Sequence, residues 1–246
     1  MAIVSSERRS SGVGDKAQQQ APPKSESQEA PPYAESAHPF AAGTNPNAVF
    51  EEKVDGASGL RELEGRLDRC LASLTMHFQP IVHAKTRKRF GYEALLRSTD
   101  KSLPHPGAIL DAAERLERIP TLGRAVRAAT AKVIATAPPE RGVVFINLHL
   151  LDLFDKQLTS PFAPLSKVAS RVVLEITERG ALDEVSDVGD RIRSLRNLGF
   201  RVAIDDLGAG YAGLTSIAVL EPDYVKLDMT LTREIDRKST RLNSSH

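Results

Sequence analysis

From about residue 58 the chain switches between two hydrophobic rhythms. In LRELEGRLDRCLASL (60–74) the leucines recur at helical spacing, with charge pairs four apart on the other face. Six short apolar runs then predict strands: HFQPIV (77–82), FGYEALLR (90–97), VVFINL (143–148), VVLEIT (172–177), VAIDD (202–206) and YVKLD (224–228). Helical patterns lie between them at 106–117, 122–137 and 188–199, the last closing on Gly199 as its C-terminal cap. Strand and helix in alternation predict an α/β fold with a mostly parallel sheet.

Side chains alternate faces along a strand, which sorts the polar residues. One face carries Glu93, Leu95 and Arg97, then Phe145 and Asn147, then Val173, Glu175 and Thr177. The same face continues with Ala203 and Asp205, and with Tyr224, Lys226 and Asp228. The intervening Val144, Ile146, Leu174, Ile176, Val202 and Ile204 suit packing under helices. A sheet rolled into a barrel gathers the polar set at one mouth, where α/β barrels keep their chemistry.

Composition narrows the class. Of 246 residues, 41% are hydrophobic and 26% charged, with a net charge of +1, an ordinary soluble balance with no general pull toward nucleic-acid polymer or anionic membrane. No apolar run approaches the roughly 20 residues of a membrane span, and the N-terminus lacks a secretory core, so a cytoplasmic location is expected. The single Cys70 sits among leucines and reads as packing. Residues 1–57 are rich in Ser, Gln, Ala, Pro and Glu and predict a disordered tail. The polar end 236–246 resembles one reading frame of a sequencing-library adapter and is read as a non-biological or disordered terminus.

The chemistry turns on RVAIDDLGAGYAGL (201–214), where a buried-looking strand ends in two adjacent carboxylates and a glycine-rich loop. Burying either aspartate is costly without a counter-charge. Taken singly, Glu93, Glu175, Asn147 and Lys226 each fit a surface or ion-pair role, and Asp205-Asp206 fits a turn. Together they offer hard oxygen ligands, Glu93, Glu175, Asp205 and Asp206 with the Asn147 carbonyl, a set suited to Mg²⁺ or Mn²⁺. Adjacent aspartates can serve two ions, as in two-metal phosphodiester hydrolysis. Lys226 can hold the attacking water or stabilise phosphate charge, and Arg97 can fork onto a phosphate oxygen.

These residues sit in motifs that resemble the EAL-domain cyclic di-GMP phosphodiesterases. YEALLR (92–97) is accompanied, in the family's order, by FQPIV (78–82), FINL (145–148), LEITE (174–178), DDLGAGYAGL (205–214) and PDYVKLD (222–228). The resemblance implies a TIM-like (β/α)8 barrel whose first strand runs antiparallel, hydrolysing cyclic di-GMP to linear pGpG with two Mg²⁺ or Mn²⁺ ions. It implies Glu93, Asn147, Glu175 and Asp205 as metal ligands, Asp206 serving the second ion, Lys226 orienting the water, and Gln79 and Arg97 touching substrate. Glu93 and Asp205 count as catalytic with Lys226, and a homodimer through the domain is the protein partner to expect.

The departures are specific. Ala209 stands where a threonine is usual and His149 where a serine is usual. The family's seventh-strand glutamate and eighth-strand glutamine motifs are absent, so 58–235 reads as a partial domain with about six of eight strands. The chain as written is therefore expected to be inactive and poorly folded. The competing reading is a degenerate module that binds cyclic di-GMP as a receptor without cleaving it. A nuclease is disfavoured by the lack of a basic stripe.

Overall fold

The computed structural model describes residues 2–5, 56–177, 187–207 and 213–228. Its elements are β1 (Ala2–Ser5), α1 (Ala57–Ala72), β2 (Leu74–Val82), β3 (Arg89–Ser98), α2 (Pro106–Arg115) and α3 (Ile119–Thr136), followed by β4 (Val143–Asn147) and β5 (Val172–Thr177). Then come α4 (Val188–Asn197), β6 (Arg201–Leu207), α5 (Gly213–Leu220) and β7 (Tyr224–Leu227). All six strands and the helices read from the sequence are present, with ends shifted by a few residues. The first strand starts three residues early, at Leu74. The third helix also starts three residues early, because Pro120 is tolerated in a first turn.

The sheet runs β1-β7-β6-β5-β4-β3-β2. β2 and β3 pair antiparallel, and β3 through β7 are parallel neighbours, giving the antiparallel first strand expected of the barrel. β2 and β1 form its two edges, so the described sheet is not closed. β1 belongs to the stretch read as a disordered tail, yet Ala2–Ser5 pairs antiparallel with β7, whose outer edge offers unpaired backbone groups to any extended segment. Most of the remaining tail, the loop 208–212, Glu178 and the terminus 229–246 lie outside the described residues.

The two faces separate as the alternation predicts. Val144, Ile146, Leu174, Ile176, Val202 and Ile204 join the main core beneath the helices, each at most 6% exposed. A satellite core forms where α1 offers Leu63, Leu67 and Cys70, spaced four and three apart, to Ala108, Ile109, Ala112 and Ala113 of α2. Each fully buried leucine or isoleucine among them contributes about 1.5–3 kcal/mol. Helix ends follow the local chemistry. His105 Nδ1 accepts the Ala108 N–H at 3.1 Å at the start of α2, and Gly199 takes φ +99° just past α4.

Candidate metal centre

The other face of the sheet has two layers. Phe145, Val173, Ala203 and Tyr224 form a buried apolar plug, with the Phe145 and Tyr224 rings 5.5 Å apart and Phe90 against both. Two residues further along each of those strands stands a polar side chain: Asn147, Glu175, Asp205 and Lys226. The strand period of two thus places each polar group one layer above an apolar one, toward the strands' C-terminal ends. β3 adds Glu93, in register with Phe145 on one side and Gln79 on the other. Gly91 brings β3 close to β4, since a Cβ there would meet the Val143 carbonyl oxygen at 2.3 Å.

Glu93, Glu175 and Asp205 can each present a carboxylate oxygen so that all lie within 4.8 Å of one another. Lys226, 1% exposed, reaches all three: Nζ is 2.6 Å from Glu175 Oε1, 2.9 Å from Asp205 Oδ2 and 3.3 Å from Glu93 Oε1. The backbone N–H of Asp206 donates to Asp205 Oδ1 at 2.9 Å. Asp206 itself has φ +55°, and the β6–β7 register slips between Ile204 and Leu207. The strand therefore leaves its regular ladder with β7 at the two adjacent aspartates. Asn147 is exposed and pairs in register with Glu175, while Gln79 is exposed beside Glu93. Half-buried Arg97 donates from its guanidinium to the Leu96 carbonyl at 2.7 Å.

The electrostatics are unbalanced. Burial above the apolar plug pushes Glu175 up to about 8; Lys226 opposes that shift, while Glu93 and Asp205 add to it. Burial works against charge on Lys226, but the three carboxylates outweigh it and raise its pKa. Neither Glu175 oxygen accepts a hydrogen bond of good geometry from the described residues. With all three carboxylates ionised, as metal ligands must be, the one ammonium leaves the cluster two positive charges short. A divalent cation fits that deficit, and the all-oxygen donor set suits a hard ion.

The EAL domain family matches residues 61–244. The chain belongs to the EAL domain family. Among curated relatives, it is 30% identical over 168 residues to the cyclic di-GMP phosphodiesterase PA2567 of Pseudomonas aeruginosa, covering 64% of this chain and 28% of that protein. It is 25% identical over 198 residues to the blue light- and temperature-regulated antirepressor BluF of Escherichia coli, covering 71% and 45% respectively. It thus spans less than half of either. Among solved structures, the EAL domain of Xanthomonas citri FimX in complex with c-diGMP superposes with a TM-score of 0.62 at 17% identity, covering 72% of this chain and 73% of that one. That likeness speaks to the fold. Among the described residues no helix is long and apolar enough to cross a membrane.

Sequence reasoning missed a second buried charge cluster. Arg127 on α3, 6% exposed, donates to Asp152 Oδ1 at 2.7 Å and also to Asp155 Oδ2. Arg124 holds both Asp155 oxygens at 2.9 Å. The aspartates lie in and just after a 3-10 turn, Leu150–Phe154, that follows β4. His149 caps that turn, its Nδ1 accepting the Leu151 N–H at 3.1 Å while Nε2 lies 3.3 Å from Glu114.

Proposed function

We propose that the cluster is a two-metal phosphodiesterase site that hydrolyses cyclic di-GMP to linear pGpG. The observation supporting this is the meeting of Glu93, Glu175 and Asp205 within 4.8 Å, short of positive charge, in a member of the EAL family. In this reading Glu93, Asn147, Glu175 and Asp205 hold one Mg²⁺ or Mn²⁺ and Asp206 serves a second. Bound ions would supply Lewis acidity and a nucleophilic water at neutral pH.

The chain's own groups do the rest. Lys226, already charged and fixed by three carboxylates, donates to the attacking water and keeps its lone pair toward phosphorus. Water adds its oxygen to phosphorus and gives up a proton, one P–O ester bond breaks, and the departing ribose oxygen takes up a proton, so that one water is consumed and no proton is gained or lost. Arg97 leaves the Leu96 carbonyl to grip a phosphate oxygen as a fork, and Gln79 contacts the substrate beside Glu93. The aromatic plug keeps water from entering below, which strengthens every charge interaction in the site.

Calorimetry of cyclic di-GMP binding with Mn²⁺ tests the reading on this chain, and chromatography for pGpG tests turnover once the family's seventh- and eighth-strand motifs follow it. Binding lost in Glu93→Ala, with pGpG formed only by the unsubstituted protein, is the expected outcome. Binding without cleavage in that longer form would favour the receptor reading, and no Mn²⁺-dependent binding would remove both.

A further inference from the structure

The opposite end of the same strands carries the reverse charge. Arg89 opens β3, Arg141 stands two residues before β4, Arg171 immediately before β5, and Arg201 opens β6. The β2–β3 turn adds Lys85, Arg87 and Lys88, closed by the His83 N–H to the Lys88 carbonyl at 2.9 Å. Glu140 is the single acidic residue in the segments 82–92 and 138–143.

Among the described residues, exposed Lys85, Arg87, Lys88, Arg89 and Arg141 form no ion pair with a carboxylate. Elsewhere Arg66, Arg118, Arg124, Arg127 and Arg196 each face one. The unpaired cations are also tied together. Arg89 places its guanidinium carbon 5.6 Å from the centre of the Tyr92 ring and donates to the Glu140 carbonyl at 3.4 Å, beside Arg141. A hydrogen bond from Arg141, with the nearby charge of Arg89, holds the Tyr92 phenol below its ordinary range. His83 packs edge-on against Phe90 at 5.4 Å, so aromatic rings are interleaved with the basic side chains.

We propose that this basic end binds the phosphate backbone of a single-stranded nucleic acid. Unpaired cations release condensed counterions from a polyphosphate, and half-buried Tyr92, flanked by Arg89, offers a face for a base. A lipid surface is the poorer fit: Val82, 48% exposed, is the one large hydrophobic side chain exposed at the hairpin, where interfacial binding needs a wider apolar face. The carboxylate cluster lies at the other ends of the strands, away from this surface, so the strand is bound and not cut. A net charge of +1 hides this end, because it averages the two rims.

The test is fluorescence anisotropy of a short labelled oligouridylate titrated with the full chain at increasing NaCl. The comparison is a Lys85→Gln, Arg87→Asn, Lys88→Gln variant, with asparagine chosen because Arg87 has φ +56°. The unsubstituted chain should bind at low salt. The variant should bind at least tenfold more weakly, with a log–log salt slope shallower by about 2, at about 0.7 per lost phosphate contact. A single Lys85→Glu change should weaken binding in the same direction, and it keeps the test decisive if the triple variant folds poorly. Absence of low-salt binding, equal binding by these variants, or preference for polyglutamate or phosphatidylserine vesicles over the oligonucleotide would overturn the proposal.

Discussion

Two buried charge clusters flank β4, and they are built on opposite principles. Between α3 and the turn after β4, two arginines meet two aspartates, and Asp155 accepts from Arg124, Arg127 and the Gln157 N–H. Charge is balanced and geometry is filled; the hydrogen bond from Arg124 heads the causes that hold the Asp155 carboxyl below its usual range. At the strands' C-terminal ends one lysine meets three carboxylates; burial raises Glu175 there, as it also raises Asp152 beside Arg127, but here the cations do not match the carboxylates in number. A balanced cluster holds a turn in place. An unbalanced one stores a demand for a cation.

Removing the cation from each cluster should separate them most sharply. Arg127→Met leaves two buried aspartates short of a partner and should cost about 3–5 kcal/mol in urea unfolding, with Mn²⁺ giving no rescue. Lys226→Met should cost a similar amount in EDTA but recover most of it when Mn²⁺ is added. Rescue of both, or of neither, would erase the distinction.

Removing a carboxylate should act with opposite signs. Asp155→Asn should destabilise by about 2–4 kcal/mol, since a fully used acceptor of charged donors is lost. Glu175→Gln should raise the melting temperature of the metal-free protein while weakening Mn²⁺ binding by at least about tenfold.

The pH dependence follows from the same group. Folding raises Glu175 from its ordinary 4.5 to about 8, so the folded state holds a proton that the unfolded state has released. Its contribution to stability is full below about pH 4.5 and is lost as pH rises through about 8. Melting of the metal-free protein between pH 5 and 9 should show that decline, and Glu175→Gln should flatten it. The smallest effect is expected at Asp206. Asparagine tolerates φ +55°, so Asp206→Asn should leave melting nearly unchanged while lowering the number of Mn²⁺ ions bound.

Much of one cluster was legible in the sequence and almost none of the other. Strand alternation alone put Glu93, Asn147, Glu175, Asp205 and Lys226 on one face, because a period of two leaves no freedom once the strand is identified. The irregular backbone at Asp206 was not legible, since nothing in the sequence marks a left-handed residue or a slipped register there. Arg127 reads as an ordinary polar position in LGRAVRAAT, and its partners Asp152 and Asp155 lie 25 and 28 residues away in a segment without periodicity. The tight fit at Gly123, where a Cβ would lie 2.1 Å from Asp152 Oδ1, appears only when the two elements are brought together. The basic end was missed because its arginines start separate strands.

The most direct measurement is a Mn²⁺ titration followed by electron paramagnetic resonance on the unsubstituted chain, Glu175→Gln and Asp152→Asn. The account predicts saturable Mn²⁺ binding that Glu175→Gln loses and Asp152→Asn keeps. Binding that survives Glu175→Gln unchanged, or that never occurs in the unsubstituted chain, would contradict it.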